Sequence, residues 1–513
     1  MAQVIRGPWG SLRPYPREPM WQALQDAALR IPDKIALVEA DGARSTYREL
    51  WNASCGVAAF LQREANVGEG QTVALASLNS REFVAAMYGS ILAGARVSPL
   101  PRTFQADEAA AQLADCDATI VFAPSPLSWT LEQLAIIGEL PQLERVYALE
   151  DVWSMAKSTP ARLQRPAVNP HADVALLPYS SGTSGLPKGV ELTHSNLTAA
   201  SRQLAATGLV DESSVVFSIR LFYNAIRLVF ATGATGVAQQ WLDPERTLAT
   251  MEAHRVTHLF VRPSFLRALV HEQHAHARDI SSLRVIETGG EPLPAATAAE
   301  AERLLDCRVV QGYHLTETAG AANRVPVSEA GWDTVGWPLA DTEERIADLD
   351  SGRDVAPGRT GELLIRGPQV TAAYWKQPEV TRQSILRGGW LRTGDVARRD
   401  TNGRVVIVDR AKEVIKVRGM QVAPAEVEAV LLEHPAVREA AVVGVVSADE
   451  AEAPKAFVVL AEGQTVSPSA LMRLVADRLA PHKQLADVEF VASLPRNAQG
   501  KVLRRILSEE RPG

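Results

Sequence analysis

The chain has 513 residues, of which 46% are hydrophobic and 22% are charged, which is the balance of an ordinary globular protein. Its net charge of −7 at pH 7 excludes a general electrostatic attraction to nucleic acid or to anionic membranes. Three cysteines, Cys55, Cys116 and Cys307, have no paired spacing. They predict reduced, buried side chains and not a disulfide framework.

No segment predicts a membrane span. The most apolar candidate, Phe83 to Ala93, is far shorter than the ~18 residues that a span requires. Residues 1–19 contain proline, tryptophan and scattered charge where a signal peptide would have an apolar segment. We therefore expect a cytoplasmic protein that has no nucleic acid partner and no membrane span.

Helical and strand patterns alternate in the first part of the chain. Helical patterns lie at Trp21–Leu29 and Arg81–Gly94, and strand patterns lie at Lys34–Glu39, Thr72–Ser77 and Ala118–Ala123. This alternation predicts a parallel sheet wound by βαβ units. A second round of the same kind extends from Asn196 to about Gly320, with strand patterns at Val215–Ile219, Val256–Val261, Leu283–Thr288 and Arg308–Gln311.

The composition changes twice more along the chain. From Trp332 to Val408, short strands and Gly/Pro turns predict a small barrel. Beyond Asp409, helical patterns at Ala425–Glu433 and Ser469–Leu479 flank strand patterns at Ala440–Val446 and Ala456–Val459. We expect this last part to form a separate α+β domain of about a hundred residues.

The segment Tyr179-Ser-Ser-Gly-Thr-Ser-Gly-Leu-Pro-Lys-Gly189 has the composition of a phosphate-binding loop. Its glycines can adopt the positive φ angles that turn backbone N–H groups toward one anion. Its hydroxyls are further donors, and Lys188 supplies a mobile positive charge. It is not a Walker-type loop, because Pro187 replaces a required glycine and Gly189 follows the lysine. A flexible linker is the alternative, but Pro-Lys-Gly directly behind the glycines argues against it. We expect the loop to join two strands.

Four segments downstream carry polar and charged side chains in chain order. Taken alone, each has a simpler explanation as a turn, a helix start or a solvated surface. They are Gln311-Gly-Tyr-His-Leu-Thr-Glu317, Gly388-Gly-Trp-Leu-Arg-Thr-Gly-Asp395, the basic stretch Asp409–Gln421, and Pro495-Arg-Asn-Ala-Gln-Gly-Lys501. With the loop, they resemble the adenylate-forming superfamily of acyl-CoA synthetases, peptide-synthetase adenylation domains and firefly luciferase. Within it, the chain is most similar to 4-coumarate:CoA ligases and related acyl-CoA ligases, from about Trp21 to Leu507.

The resemblance implies an α/β fold with two domains. The large N-terminal domain, residues 1–408, would contain two doubly wound subdomains and a small β-barrel. The small α+β C-terminal domain, residues 409–513, would be mobile, with its hinge at Asp409. The implied reaction joins a carboxylate to ATP, giving an acyl-adenylate and pyrophosphate, and then transfers the acyl group to the thiol of coenzyme A. ATP or AMP, Mg²⁺ and coenzyme A are the implied cofactors, and the small domain would rotate between the steps.

The resemblance also implies a role for single residues in the large domain. Tyr313 would stack on adenine, Thr316 would contact the α-phosphate, and Glu317 would help to hold Mg²⁺. The loop would hold the β- and γ-phosphates through Ser180, Ser181, Gly182, Thr183, Ser184 and Lys188.

Further roles fall near the predicted domain junction and in the small domain. Asp395 and Arg410 would contact the ribose. Lys501 would reach the α-phosphate and the carboxylate during adenylation. Lys416 and Gln421 would assist that step, and the region of Gly419 would line the path of the thiol.

Two departures from the family pattern lie at the predicted acyl site. Arg220-Leu-Phe-Tyr223 stands where relatives carry Pro-Leu-Phe-His, and tyrosine does not titrate near neutral pH as histidine does. His314 stands where relatives carry glycine and should project toward the substrate. Either a repacked ordinary pocket or a change in substrate or in one half-reaction explains them. The predicted acyl-site residues are Arg220, Tyr223, Gly289, Gly290, Gly312 and His314.

The sequence therefore predicts an acyl-CoA ligase that activates a hydrophobic or polycyclic carboxylic acid through an acyl-adenylate. Three alternatives stay open: transfer to a carrier-protein phosphopantetheine in trans, thioesterification alone of an adenylate made elsewhere, and a non-catalytic binding protein. The joint presence of Lys188, Glu317, Asp395, Arg410 and Lys501 argues against the last. The sequence specifies neither the acid nor the oligomeric state, for which a homodimer is one option.

Overall fold

The computed structural model describes residues 4–76, 79–101, 104–158, 163–180, 187–219, 222–240, 243–291, 293–329, 331–411, 413–417, 420–446, 452–496 and 502–509. Its α-helices are Gln22–Arg30, Tyr47–Glu64, Arg81–Leu92, Ala106–Asp115, Leu127–Ile136, Val152–Ser158, His194–Ala206, Phe222–Thr232, Pro244–Ala253, Pro263–Ala275, Ala295–Leu305, Pro378–Ser384, Pro424–Leu432, Pro468–Arg478 and Arg504–Glu509. Short 3₁₀ turns lie at Leu149–Asp151, Thr316–Thr318 and Pro481–Lys483. Within these ranges no helix is long and apolar enough to cross a bilayer.

Local capping explains where several helices begin. Thr46 accepts the N–H of Glu49 at 3.2 Å, and the Glu49 carboxylate accepts the N–H of Thr46 at 2.8 Å. This reciprocal pair satisfies two backbone donors that the first helical turn leaves without partners. Thr193 and Asn196 make the same arrangement at the start of His194–Ala206.

The first wound sheet has six strands. In spatial order they are Leu192–Thr193, Val174–Leu176, Arg96–Leu100, Thr72–Ala76, Ala118–Ala123 and Arg145–Ala148. All neighbours run parallel except the first pair. Every residue of the central strand Thr72–Ala76 is buried, as expected where helices cover both faces of a parallel sheet.

The second wound sheet has nine strands. Their spatial order is Trp337–Pro338, Gly320–Arg324, Arg308–Leu315, Val285–Thr288, His258–Val261, Val215–Ser218, Thr235–Ala238, Ile35–Glu39 and Arg44–Thr46. The sheet is parallel from Arg308–Leu315 to Ile35–Glu39. Ile35–Glu39 lies early in the chain, yet it pairs with Thr235–Ala238 and so joins the second sheet. One hydrophobic core contains residues of both sheets and of the helices Tyr47–Glu64 and Arg81–Leu92.

The remaining strands form smaller sheets. Five strands between residues 343 and 410 form one sheet, in the region that was predicted as a small barrel. They are Glu343–Ala347, Gly361–Arg366, Ile385–Leu386, Trp390–Arg399 and Val405–Arg410. A three-stranded sheet contains Val437–Val446, Glu452–Leu460 and Asp487–Phe490. The two-stranded ladders are Tyr179–Ser180 with Lys188–Gly189, and Ile415–Val417 with Met420–Val422.

The chain divides into two compact units. The larger contains residues 4–344 and 365–391, and the smaller contains residues 1–3, 345–364 and 392–513. Part of the predicted N-terminal domain thus clusters with the C-terminal segment. The hinge at Asp409 stays a prediction.

Buried histidines make the stability of the larger unit depend on pH. Burial lowers the pKa of His194 to about 4 and that of His258 to about 4, so both are neutral when folded at pH 7. His194 Nδ1 accepts the N–H of Met20 at 3.0 Å. Because each pKa is lower in the folded state, the unfolded chain binds more protons below pH 6.5, and stability falls as the pH decreases toward 4.

We expect His194→Asn, which keeps an acceptor but does not titrate, to reduce this loss. The loss per histidine should approach about 1.4 kcal/mol per pH unit within that window. Urea unfolding midpoints of the wild type and the variant at pH 7 and pH 5 give the comparison. An identical shift in both proteins would contradict the assignment to His194.

Candidate active site

The predicted phosphate loop begins and ends in a two-stranded ladder. Tyr179 pairs with Gly189, and Ser180 pairs with Lys188, in antiparallel register. The prediction that the loop joins two strands is therefore confirmed at its base. Ser180 and Lys188 are both half-buried. The other predicted phosphate ligands, Ser181, Gly182, Thr183 and Ser184, lie outside the described residues.

The base of this loop is anchored on Asp115, which the sequence reasoning missed. The Tyr179 hydroxyl donates to the Asp115 carboxylate, and the Trp375 indole donates to the Asp115 carbonyl at 2.9 Å. The Arg96 guanidinium lies 4.1 Å from the centroid of the Trp375 ring. Gly189 fits closely against this cluster, because a Cβ there would lie 3.0 Å from Trp375 Cβ.

Thr316 and Glu317 lie in the 3₁₀ turn Thr316–Thr318, directly after the strand Arg308–Leu315. Ala319, with φ +53°, and Gly320, with φ +125°, reverse the chain into the antiparallel strand Gly320–Arg324. The turn therefore stands at the carboxyl end of a parallel strand, which is where open α/β sheets bind their ligands.

The Glu317 side chain is held by Tyr374. The Tyr374 hydroxyl donates to Glu317 Oε1 at 3.0 Å, and the Thr371 N–H donates to the Glu317 carbonyl at 2.8 Å. Burial, and then the Glu317 charge, raise the pKa of Tyr374, so the phenol stays protonated and remains a donor. The Tyr374 bond fixes the direction of a carboxylate that the sequence predicted as a Mg²⁺ ligand, and the Thr371 bond fixes the backbone that carries it.

A single carboxylate fits Mg²⁺ only with help from the substrate. Over the described ranges no group of three His, Cys, Asp or Glu side chains could hold a metal ion. Mg²⁺ commonly binds through one or two carboxylates together with substrate phosphate oxygens and water. Glu317 would therefore hold the ion jointly with the phosphates, and its role as a ligand stays a prediction.

We expect Tyr374→Phe to weaken the Mg²⁺-dependent step by about tenfold. The variant removes one hydrogen bond to a charged group, which is worth about 1.5–3 kcal/mol, and leaves the ring in place. The Mg²⁺ concentration that gives half-maximal pyrophosphate exchange is the quantity to measure. Tyr147→Phe, a matched change on the strand Arg145–Ala148, serves as the control. Equal Mg²⁺ requirements in the two variants would count against this role of Tyr374.

Tyr313 and His314 are neighbours on the strand Arg308–Leu315, at an irregular point of the ladder. Tyr313 pairs with Asn323, but His314 pairs with Ala321, so the register shifts between them. Such bulges re-aim side chains and occur often beside active sites. Tyr313 is buried and His314 is half-buried. Adenine stacking by Tyr313 stays a prediction.

The structure brings His314 together with two of the glycines predicted for the acyl site. A Cβ on Gly312 would lie 2.6 Å from His314 Cε1 and 2.6 Å from Glu287 Oε1. A Cβ on Gly289 would collide with the Gly312 carbonyl and would lie 3.0 Å from His314 Nδ1. Position 312 therefore needs glycine to admit the imidazole and the Glu287 carboxylate, and position 289 needs it chiefly to admit the Gly312 carbonyl. Gly290 has φ +87° with open space beside it.

Glu287 is a site residue that the sequence reasoning missed. His314 Nε2 lies 2.9 Å from Glu287 Oε1, and Arg324 Nη2 lies 2.9 Å from Glu287 Oε2. The Glu287 side chain is 1% exposed and that of Arg324 is 2% exposed. The sequence contained a sign of this residue, since the acidic Glu287 interrupts the apolar strand pattern Val285–Thr288. The buried ion pair of Glu287 with Arg324 and the imidazole of His314 form a polar cluster beside the predicted acyl site.

Of the two predicted acyl-site residues Tyr223 and Arg220, the structure describes only Tyr223. Tyr223 is buried in the first turn of the helix Phe222–Thr232, and burial raises the pKa of Tyr223 to about 12. Its hydroxyl is therefore a neutral hydrogen-bonding group at physiological pH. Arg220 lies outside the described residues.

The two residues predicted to contact the ribose meet in the smaller unit. Asp395 and Arg410 are paired across the antiparallel strands Trp390–Arg399 and Val405–Arg410. Arg410 Nε lies 2.8 Å from Asp395 Oδ1, and Asp395 is buried. The ion pair fixes the position of the carboxylate. Its contact with ribose stays a prediction.

The site residues that were predicted in the C-terminal domain are described only in part. Lys416 and Gln421 pair across the ladder Ile415–Val417 and Met420–Val422. Gly419 and Lys501 lie outside the described residues.

The predicted hinge residue is held at a helix start. Asp409 is buried, and its Oδ2 accepts the N–H of Ala425 at 2.8 Å. Ala425 lies in the first turn of the helix Pro424–Leu432, so the carboxylate satisfies one of the unpaired helical donors. Burial raises the pKa of Asp409.

The chain is similar to known protein families. The pattern of the family described as AMP-binding enzyme matches residues 24–375, and that described as AMP-binding enzyme C-terminal domain matches residues 426–501. The first match contains the predicted phosphate loop and the Tyr313–Glu317 segment, and the second ends at Lys501. The predicted residues Asp395, Arg410, Lys416, Gly419 and Gln421 lie between the two matches.

Relatives match the chain over nearly its whole length. Peroxisomal OPC-8:0-CoA ligase 1 of Arabidopsis thaliana is 33% identical, over 92% of this chain and 90% of that protein. A long-chain-fatty-acid–CoA ligase of Bacillus subtilis is 30% identical, over 97% and 95%. The crystal structure of an anthranilate CoA ligase in complex with anthranoyl-AMP has a TM-score of 0.88 and 27% identity, and covers 96% of this chain and 97% of its own.

Proposed function

The chain belongs to the AMP-binding enzyme family, and we propose that within it the protein is an acyl-CoA ligase for a hydrophobic or polycyclic carboxylic acid. The predicted family, the α/β fold, the ligase class and the use of ATP and coenzyme A are confirmed by the matches with CoA ligases. The choice of acid, the roles of single residues and the domain rotation are proposals.

The observation that carries the proposal is the arrangement on one strand and its turn. His314 contacts the glycines of the predicted acyl site, and two residues later Thr316 and Glu317 occupy the turn at the carboxyl end of the sheet. A carboxylic acid seated beside His314 would thus lie next to the groups proposed to hold the α-phosphate and Mg²⁺. This proximity is what adenylate formation requires, since both reactants must be held together.

The proposed first step joins two anions. A carboxylate oxygen attacks the α-phosphorus of ATP, a P–O bond forms, and pyrophosphate leaves with its electron pair. Lys188 and the loop donors would offset the charge of the β- and γ-phosphates, and Lys501 that of the α-phosphate and the carboxylate. Bound Mg²⁺ would supply further positive charge at the phosphates.

In the proposed second step the thiolate sulfur of coenzyme A attacks the acyl carbonyl carbon, and AMP leaves. The smaller domain would rotate at Asp409 between the steps, so that the Gly419 region replaces Lys501 at the site. Asp395 and Arg410 would hold the ribose through both steps.

Two features support an apolar acid. The helix that contains Tyr223 is apolar along most of its length, and Tyr223 offers an aromatic face. The names of the similar proteins include an aromatic acid, anthranilate, and a long-chain fatty acid. Cytoplasmic residence and a homodimer stay proposals beside this one.

Pyrophosphate exchange across a panel of aromatic, polycyclic and aliphatic acids tests the proposal. We expect exchange to depend on one class of apolar acid, followed by formation of its CoA ester. No exchange with any acid, together with ester formation from a supplied adenylate, would favour the thioesterification-only alternative. Acyl transfer to a phosphopantetheinyl carrier protein but not to coenzyme A would favour the carrier alternative.

We expect His314→Gly to shift the preference of the enzyme toward larger acids. Removing the imidazole opens space beside Gly289 and Gly312, and a difference of one small group in a pocket is worth about 1–3 kcal/mol, or roughly 10–200-fold in kcat/KM. The ratio of kcat/KM for a bulky and a compact acid is the measurement, with the exposed His271→Gly as the control. An unchanged ratio would remove His314 from the acyl site.

A further inference from the structure

Arg227 is buried in the middle of the helix Phe222–Thr232, and it is 3% exposed. Arginines are almost never buried unless they are paired. Among the residues that the structure describes, however, all hydrogen-bond partners of Arg227 are uncharged oxygens. Burial lowers the pKa of Arg227 to about 10, which leaves the guanidinium charged at neutral pH. An apolar side chain would fill the core without burying a charge, so the buried charge of Arg227 needs another explanation.

The partners occupy all five donors of the guanidinium and come from three elements. Nε donates within its own helix, Nη1 donates to the helix His194–Ala206, and Nη2 donates to its own helix and to the residue that ends the Thr316–Thr318 turn. The bonds are to Tyr223 O at 3.3 Å, Leu197 O at 2.9 Å, Ser201 Oγ at 3.4 Å, Asn224 Oδ1 at 2.6 Å and Ala319 O at 2.6 Å.

The hydrogen bond from Arg227 to the Ala319 carbonyl is the one that reaches the candidate active site. Ala319 has φ +53°, in the left-handed region that costs a residue with a Cβ about 1–2 kcal/mol. This conformation reverses the chain directly after Thr316 and Glu317. Arg227 holds the Ala319 carbonyl from one side, while Thr371 and Tyr374 hold Glu317 from the other. The turn is therefore held at Glu317 and at Ala319, the residue that follows it.

We propose that Arg227 is a positioning residue that fixes the Thr316–Glu317 turn for binding of the nucleotide and Mg²⁺. The proposal rests on the proposed function, which assigns those roles to the turn. Arg227 acts through the Ala319 carbonyl and does not touch the substrate. Direct binding of a substrate carboxylate is a poorer explanation, because protein oxygens already occupy all five donors. A planar fork with fixed donors suits this task better than a lysine would.

The test compares Arg227→Met and Arg227→Lys with the wild type. Arg227→Met keeps the length of the side chain but removes the charge and every donor. We expect the Mg²⁺ concentration for half-maximal pyrophosphate exchange to rise at least tenfold, and kcat to fall by up to about 100-fold, as for a misplaced catalytic group. The KM for the acid should stay within twofold. Arg227→Lys, which can still donate to Ala319, should recover part of the Mg²⁺ response.

Ser201→Ala is the matched control. It removes one acceptor of the guanidinium on the helix side and leaves the bond to Ala319, so its Mg²⁺ requirement should stay within twofold of the wild type. An unchanged Mg²⁺ requirement in Arg227→Met would overturn the proposal. A fall of both half-reactions in the same proportion, matching a loss of folded protein, would also overturn it. If Arg227→Met does not fold, the same criteria apply to Arg227→Lys, for which we expect at least a threefold rise.

Calorimetric titration with ATP, with and without Mg²⁺, separates this proposal from the proposed function. If the wild type exchanges pyrophosphate with no acid, the proposed function fails, but the titration still tests Arg227. A smaller gain in ATP affinity from Mg²⁺ in Arg227→Met than in the wild type supports the positioning role. An equal gain in both proteins refutes it.

Discussion

Lys501→Ala is expected to lower the rate of adenylate formation by about 10²–10³, the typical effect of removing one donor that stabilises charge in the transition state. Lys501 is proposed to contact the α-phosphate and carboxylate oxygens, which approach each other only in the first step. Acyl transfer from a supplied adenylate to coenzyme A should stay within a few-fold of the wild type. Single-turnover assays of the two half-reactions, run separately, give the comparison.

Lys455→Ala controls for the loss of a lysine from the same unit. Lys455 lies 3.1 Å from Asp487 and 2.8 Å from Glu489, and ion pairs at exposed carboxylates are worth at most about 1 kcal/mol each. Both half-reactions should therefore persist in this variant. If Lys501→Ala lost both steps equally, the division of roles between two domain orientations would be wrong.

Glu287→Leu is expected to destabilise the larger unit by about 3–5 kcal/mol, the usual effect of removing one partner of a buried ion pair. The change takes away the carboxylate 2.9 Å from the Arg324 guanidinium, and both side chains are almost fully buried. The free energy of unfolding from urea titration is the measurement. Loss of the contact with His314 should also change the acid preference.

The double variant Glu287→Leu/Arg324→Met distinguishes a buried charge from lost packing. Replacing both partners by apolar groups is often neutral or stabilising, so we expect the double variant to recover most of the stability that Glu287→Leu loses. The coupling energy from the double-mutant cycle measures the pair. A double variant less stable than Glu287→Leu alone would show that the ion pair is not the source of the effect.

Two local features of the candidate site agree with expectations drawn from the sequence. The glycine loop is closed by pairing of Tyr179 with Gly189, as a link between two strands requires. Asp395 and Arg410 lie opposite each other, as expected if both contact the same sugar. These features depend on residues that are close in sequence or on motifs with a fixed order. Their chemical roles stay predictions.

The features that the sequence did not predict depend on contacts between elements that are distant along the chain. Ile35–Glu39 has an ordinary strand pattern, but its partner Thr235–Ala238 lies about two hundred residues away. Arg308–Leu315 was predicted only as far as Gln311, because its last residues pair with a strand that returns after the turn. The contacts of Glu287, Asp115 and Arg227 likewise join distant elements. A periodicity in sequence reports which face is buried and does not identify the partner.

The Glu287 carboxylate has a consequence for how acid preference could evolve or be engineered. The same carboxylate contacts His314 at the predicted acyl site and Arg324 in the interior. A change at position 314 therefore alters the surroundings of the buried Glu287 carboxylate as well as the shape of the proposed acyl pocket. Libraries that vary positions 314, 287 and 324 together should yield more folded enzymes with new acid preferences than libraries that vary position 314 alone.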